Sequence, residues 1–160
     1  AREQEALLVR WSHVDFAGER VFIGAPDDFE AGRASIGTGG NSKNRGSRSV
    51  DFNDQLSGLL KEMNSRRCPG SSFLFPSPQR GKKDVPARSF RASFEIVRDV
   101  AKLHGVGFHD LRHVFASFCV MAGIDFMTIA AWLGHKDGGI LVGKTYGHLL
   151  GEHRKKMAAK

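Results

Sequence analysis

Hydrophobic spacing along this chain changes character near residue 53. Before it, after a first stretch of helical spacing, apolar residues come in short runs that read as strands. "EALLVRWSHVDF" starts with helical spacing at Ala6 and Val9 and passes into a strand signal at Val14–Phe16. Ala17-Gly18-Glu19 reads as a tight connection into the β-rich run "RVFIG". Residues 24–47 are rich in Gly, Ser, Asn and Pro and predict a loop or mobile hairpin. Within them "SKNRGSRSVDF" predicts a second hairpin, turning at Asn44-Arg45-Gly46 and leaving through Val50 and Phe52.

After Asn53, a good N-cap, the period becomes helical. Leu56, Leu59, Leu60 and Met63 fall at i, i+3, i+4 and i+7. "CPGSSFLFPSPQRGKKDVP" predicts a connection holding one apolar island, Phe73–Phe75. Phe90, Phe94, Val97 and Ala101 lay a stripe on a helix that stops before Gly105. The next helix carries Leu111, Val114, Phe115, Phe118, Cys119 and Ala122 on one face, with Leu111 and Val114–Phe115 pointing to the core, and ends at Gly123. Asp125 caps a short helix, Phe126–Leu133, closed by Gly134; a Gly138-Gly139 loop then leads to a last helical segment around Tyr146. The order predicts an α+β, mainly helical fold: a small antiparallel sheet near the N-terminus followed by a helical bundle.

Composition narrows the class. A chain of 160 residues, 41% hydrophobic and 26% charged, can build one core. It contains no apolar run of the roughly 20 residues that span a bilayer and no signal-peptide pattern, so no membrane partner is expected. Two cysteines, Cys68 and Cys119, make no disulfide framework and fit a reducing, cytoplasmic setting. The first methionine is Met63, which suggests a piece of a longer protein. Net charge is +7, and residues 43–112 carry 14 basic against 7 acidic groups. That excess points to a polyanion, nucleic acid ahead of acidic lipid.

The candidate chemistry lies in a few short stretches. In "FHDLRH" (108–113), His109 and Arg112 share a helix face, projecting an imidazole and a guanidinium side by side. His109 and His113 also have a metal-compatible spacing, with no third ligand indicated. In "WLGHKDGG", His135 follows the helix-ending Gly134, a position that also serves ordinary packing. Lys43 and Arg2, each alone, read equally as solvated charges. Tyr146, in "GKTYGHLL", is the sole tyrosine of the chain, with His148 two positions on.

Together these stretches resemble the catalytic domain of the tyrosine recombinases, the phage and genomic-island integrases that share their chemistry with type IB topoisomerases. "AREQEALLVRWSHVDF", "SKNRGSRSVDF", "FHDLRHVFAS", "WLGH" and "TYGHL" stand in the order and rough spacing of that domain, from Arg2 to about Leu150. The resemblance implies a catalytic domain over residues 1–150, a basic tail over 151–160 ("GEHRKKMAAK"), and a missing N-terminal DNA-binding domain. It implies Arg2, Lys43, His109, Arg112, His135 and Tyr146 as the catalytic set, with Glu5 and Arg48 as the accompanying acidic and basic residues. It further implies double-stranded DNA as substrate, other protomers as partners (a tetramer on DNA for the full-length protein), and no metal or other cofactor. Arg45, Lys82, Lys83 and Arg88 are candidates for phosphate contact, and a solvated face explains each equally well.

The residue types suit phosphodiester chemistry. Guanidinium forks bind the two charged non-bridging oxygens and the added charge of a pentavalent transition state. A phenol with an ordinary pKa near 10 needs neighbouring cations to attack as phenolate. A lysine on a mobile hairpin suits protonation of the leaving 5′-oxygen, His109 proton movement at the nucleophile, and His135 donation to a phosphate oxygen. The product is a 3′-phosphotyrosine ester that a 5′-hydroxyl can reverse without ATP. The glycines between His135 and Tyr146 suggest a segment able to swing. A non-catalytic DNA-binding module of the same family is the alternative, and a hydrolase using His109 and His113 with a metal is a third reading.

Overall fold

The computed structural model describes residues 1–25, 47–78 and 84–151. Two compact units divide the chain: Glu3–Ala92, and Ala1–Arg2 together with the chain from Ser93 onward.

In the first unit, α1 (Glu3–Leu7) precedes a 3₁₀ turn at Trp11–His13 and strand β1 (Val14–Asp15). Strand β2 (Arg20–Ile23) pairs antiparallel with β1, and β3 (Arg48–Asp51) pairs antiparallel with β2, so the sheet order is β1-β2-β3. The β1–β2 turn is set by Asp15, whose carboxylate accepts from Gly18 N at 2.8 Å and from Arg20 Nε at 3.3 Å. A Cβ at Gly18 would lie 2.4 Å from that same carboxylate, so a larger residue there would displace the Asp15 side chain from the turn. Alternation along β2 buries Val21 and Ile23. The register places Val21 opposite both Val14 and Val50.

Helix α2 (Asp54–Ser65) begins where the sequence predicts, with the Asn53 side chain accepting from Leu56 N at 2.9 Å. It sends Leu60 into a core with Val9, Val14, Val21, Ile23 and Leu74. The Phe73–Phe75 island joins that core through paired backbone: Trp11 N donates to Ser72 O and Leu74 N to Val9 O. Arg48, on β3, grips Glu5, on α1, through two hydrogen bonds of 3.2 and 2.8 Å. A paired guanidinium and carboxylate, both largely buried, tie the first helix to the sheet.

Helix α3 (Arg91–Val100) leads into the second unit, which holds α4 (Phe108–Met121), α5 (Phe126–Leu133) and α6 (Ile140–Tyr146), closed by a 3₁₀ turn at Gly147–Leu150. Its core is Ala116, Cys119 and Val120 of α4, Ile129, Ala130 and Leu133 of α5, and Val142 and Tyr146 of α6. Burying side chains such as Ile129 and Leu133 contributes about 1.5–3 kcal/mol each. Cys119 sits among them, and burial raises its thiol pKa. The predicted α+β architecture, a small antiparallel sheet followed by helices, is what the described residues form. None of their helices is long and apolar enough to cross a membrane.

One reading of a helix face is corrected. The core face of α4 runs through Ala116, Cys119 and Val120, while Leu111, Val114, Phe115 and Phe118 stay exposed, Phe118 at 64%. On α3, Val97 is 65% exposed and no residue is buried, although Phe94 stacks on Phe108 with ring centroids 4.3 Å apart. The apolar stripe on α4 is wider than the strip its neighbours cover, and α5 and α6 meet its small-residue edge. The turn of the second predicted hairpin, Asn44-Arg45-Gly46, lies outside the described residues, while its outgoing strand through Val50 is β3.

The α5–α6 connection is tightly built. Asp137 accepts from Gly139 N at 3.1 Å and Leu141 N at 2.8 Å. Gly139 has φ +95°, and a Cβ there would lie 2.8 Å from the Phe126 carbonyl carbon and oxygen. Gly138, at φ +64°, faces open space. Gly139→Ala therefore combines left-handed strain with a backbone clash, whereas Gly138→Ala carries only the strain, about 1–2 kcal/mol. Urea unfolding is expected to show the larger loss for Gly139→Ala; equal losses would contradict this packing.

Candidate active site

Three side chains of the second unit converge because of how two helices end and one begins. Helix α4 starts at Phe108, where the Asp110 carboxylate accepts from Gly107 N at 2.8 Å. One turn on, Arg112 reaches the C-terminal end of α5. Its Nη2 donates to the Leu133 carbonyl at 2.6 Å and to His135 Nε2 at 3.0 Å. The last carbonyls of a helix lack intrahelical donors and carry partial negative charge, so a guanidinium is well matched there.

His135 owes its place to the helix stop. Gly134 adopts the left-handed conformation (φ 74°), and His135 N donates back to Ala130 O at 2.8 Å. The ring leaves the helix beside Arg112. A guanidinium can only donate, so His135 Nε2 is the acceptor and the ring proton of this neutral tautomer sits on Nδ1. That Nδ1, like Arg112 Nη1, is buried.

Tyr146 ends α6. It is 8% exposed and belongs to the bundle core. Close approach of α6 to α5 depends on glycine again: a Cβ on Gly143 would meet the Phe126 ring at 3.1 Å. The glycines that suggested a swinging segment thus serve packing at Gly139 and Gly143. The Tyr146 hydroxyl is hydrogen-bonded to His113 Nδ1, with ring centroids 5.9 Å apart. Burial raises the phenol pKa above its ordinary 10.0, and the Arg112 charge pulls it back. In this arrangement the hydroxyl is held as a neutral phenol.

Arg112, His135 and Tyr146 are thus brought into one unit. Arg2 is exposed and clusters with that unit rather than with the helix it precedes. His109 is exposed on the first turn of α4 and meets His113 edge-on, centroids 4.7 Å apart. His148 is exposed on the closing 3₁₀ turn, and Arg88 is exposed in the other unit. Lys43, Arg45, Lys82, Lys83 and most of the basic tail lie outside the described residues. Among the described residues no group of three or more His, Cys, Asp or Glu is placed to hold a metal.

Two features of the site escaped sequence reasoning. The Leu133 carbonyl that anchors Arg112 is backbone, and it has no signature beyond the helix stop at Gly134. His113 was considered only as a partner of His109 for a metal; its i+1 place after Arg112 on a helix gives no hint that it faces Tyr146.

A spectroscopic titration can read Tyr146 alone, because the chain has one tyrosine. The phenolate absorbance should appear with a midpoint above 10 in the folded protein and return to about 10 in denaturant. Since the folded pKa is the higher one, the contribution of Tyr146 to stability is fully present below pH 10 and is lost as pH rises through the folded value. A native midpoint at or below 10 would contradict the buried, neutral phenol.

The family model described as "Phage integrase family" matches residues 1–153. The "Putative integrase" of Pseudomonas phage Pf1 is 36% identical over 111 residues, covering 69% of this chain and 29% of that protein. The "Shufflon-specific DNA recombinase" of Escherichia coli is 27% identical over 150 residues, covering 92% of this chain and 31% of that one. This chain thus spans about a third of each of these two relatives. The crystal structure of XerA recombinase shares the fold, with a TM-score of 0.62 at 22% identity over 99% of this chain and 52% of that one. The match across nearly the whole chain, together with the ordered motifs, places it: the chain belongs to the phage integrase family.

Proposed function

We propose that this chain is the catalytic part of a site-specific DNA recombinase that integrates or excises a mobile element. The observation that carries the reading is the convergence of Arg112, His135 and the sole tyrosine, Tyr146, within one helical unit of an integrase-family chain. In this reading Arg112, with Arg2, binds the non-bridging oxygens of the scissile phosphate through its charged fork and holds the charge that develops in the transition state. His135, packed on Arg112, shares that phosphate site. The Tyr146 oxygen attacks phosphorus: the new O–P bond forms the 3′-phosphotyrosine, the P–O5′ bond breaks, and the 5′-oxygen takes up a proton, supplied by Lys43. A 5′-hydroxyl from another strand reverses the step, so ligation needs no ATP.

The buried phenol fits a resting form. With its hydroxyl on His113 and its pKa raised by burial, Tyr146 is a weak nucleophile until the site opens toward DNA. The basic balance of the chain suits DNA as substrate, and further protomers are the expected partners on it. Arg45, Lys82, Lys83 and Arg88 are proposed to touch phosphates flanking the cut.

The test is a nicked duplex that traps the covalent product by letting the short 5′-hydroxyl strand diffuse away. The parent chain should form a denaturant-stable adduct, and Tyr146→Phe should form none. Arg112→Lys, which keeps the charge but loses the planar fork, should slow adduct formation about 10²- to 10³-fold. An adduct that survives Tyr146→Phe would refute the nucleophile. DNA binding without any adduct from the parent would favour the non-catalytic module.

A further inference from the structure

We infer that His113 is the base that takes the phenol proton from Tyr146. The inference rests on the recombinase reading and assigns a residue to a step that reading leaves open. The group bonded to the Tyr146 hydroxyl is His113 Nδ1, whereas His109, the histidine expected to move that proton, meets His113 and not the phenol in the contacts described for it.

Geometry and surroundings suit the role. His113 follows Arg112 on α4, so the side chain that grips the phosphate and the one that receives the proton are fixed by a single helical turn. Tyr146 is buried in the bundle core, but His113 is exposed, so a proton delivered to its ring can pass to solvent. The ionisable or charged groups described around His113 are His109 and Arg112 on its own helix and Tyr146 on α6. None of them is a carboxylate that would compete for the phenol hydrogen.

The step balances. Neutral His113 carries its ring proton on Nε2, leaving the Nδ1 lone pair to accept the phenol hydrogen bond. As the Tyr146 oxygen bonds to phosphorus, its O–H bond breaks and an Nδ1–H bond forms, giving an imidazolium. The P–O5′ bond breaks with its electron pair on O5′, which takes a proton from the general acid of the proposed reaction, Lys43. In ligation the imidazolium returns its proton to the departing phenolate, so one residue serves both directions.

Two measurements on the full chain test this. The first needs no DNA. With tyrosine labelled at Cζ, the carbon spectrum has one signal because there is one tyrosine. His113→Phe, which keeps a ring without nitrogens, should move that signal, and His109→Phe should leave it in place. The second is adduct formation on nicked DNA with oxygen or sulfur at the 5′-bridging position; a thiolate leaves without a proton.

His113→Phe should slow adduct formation about 10²- to 10⁴-fold on both substrates. His113→Asn, whose amide oxygen can accept the hydrogen bond but not the proton, should stay slow. An unmoved carbon signal overturns this inference alone. So does a parent-like rate for His113→Phe, recovery by His113→Asn, or recovery on the sulfur substrate. A parent chain that forms no adduct on either substrate overturns the recombinase reading and this inference with it.

Discussion

The hydrogen bonds from Arg112 to the Leu133 carbonyl and His135 Nε2 are the constraint on which the candidate site depends. A guanidinium is costly to desolvate, and it is tolerated half-buried here because a helix end supplies a carbonyl and a turn supplies an imidazole. Remove the left-handed stop at Gly134 and both partners shift together. The bond from His135 N to Ala130 O, which closes that stop, is therefore a backbone feature with a consequence for side-chain chemistry.

Tyr146 depends on the same bundle through packing rather than charge. Phe126 fills the space against Gly139 and Gly143, which brings α6 close enough for Tyr146 to enter the core made by α4 and α5. A phenol buried in this way resists ionisation, and Arg112 offsets only part of that resistance. Resistance to ionisation is thus a by-product of the packing that positions the phenol.

Much of this was legible in the sequence, and the reasons differ by element. Asn53, Asp125 and Gly134 act locally, so their caps and stop could be read directly; Asp125 accepts from Thr128 N at 2.8 Å as its position implies. The short strands at Val14 and at 20–23 follow from a period that depends only on neighbours. Helix faces were harder. Apolar residues lie all round α4, and spacing alone could not say that Ala116, Cys119 and Val120 would meet α5 and α6 while Phe118 faced outward. The ion pair between Glu5 and Arg48 joins residues 43 positions apart, and the partnership of His113 with Tyr146 spans 33; neither distance leaves a local trace. The family resemblance supplied the order of the site residues, and the structure supplied which of them touch.

The central claim is that Tyr146 becomes covalently joined to DNA in a site organised by Arg112. It is tested most directly by trapping the complex on nicked DNA, digesting both components, and locating the residual nucleotide by mass spectrometry. The account predicts a 3′-linked nucleotide on the peptide containing Gly143–Leu150, attached to Tyr146. A nucleotide attached to any other residue would contradict it.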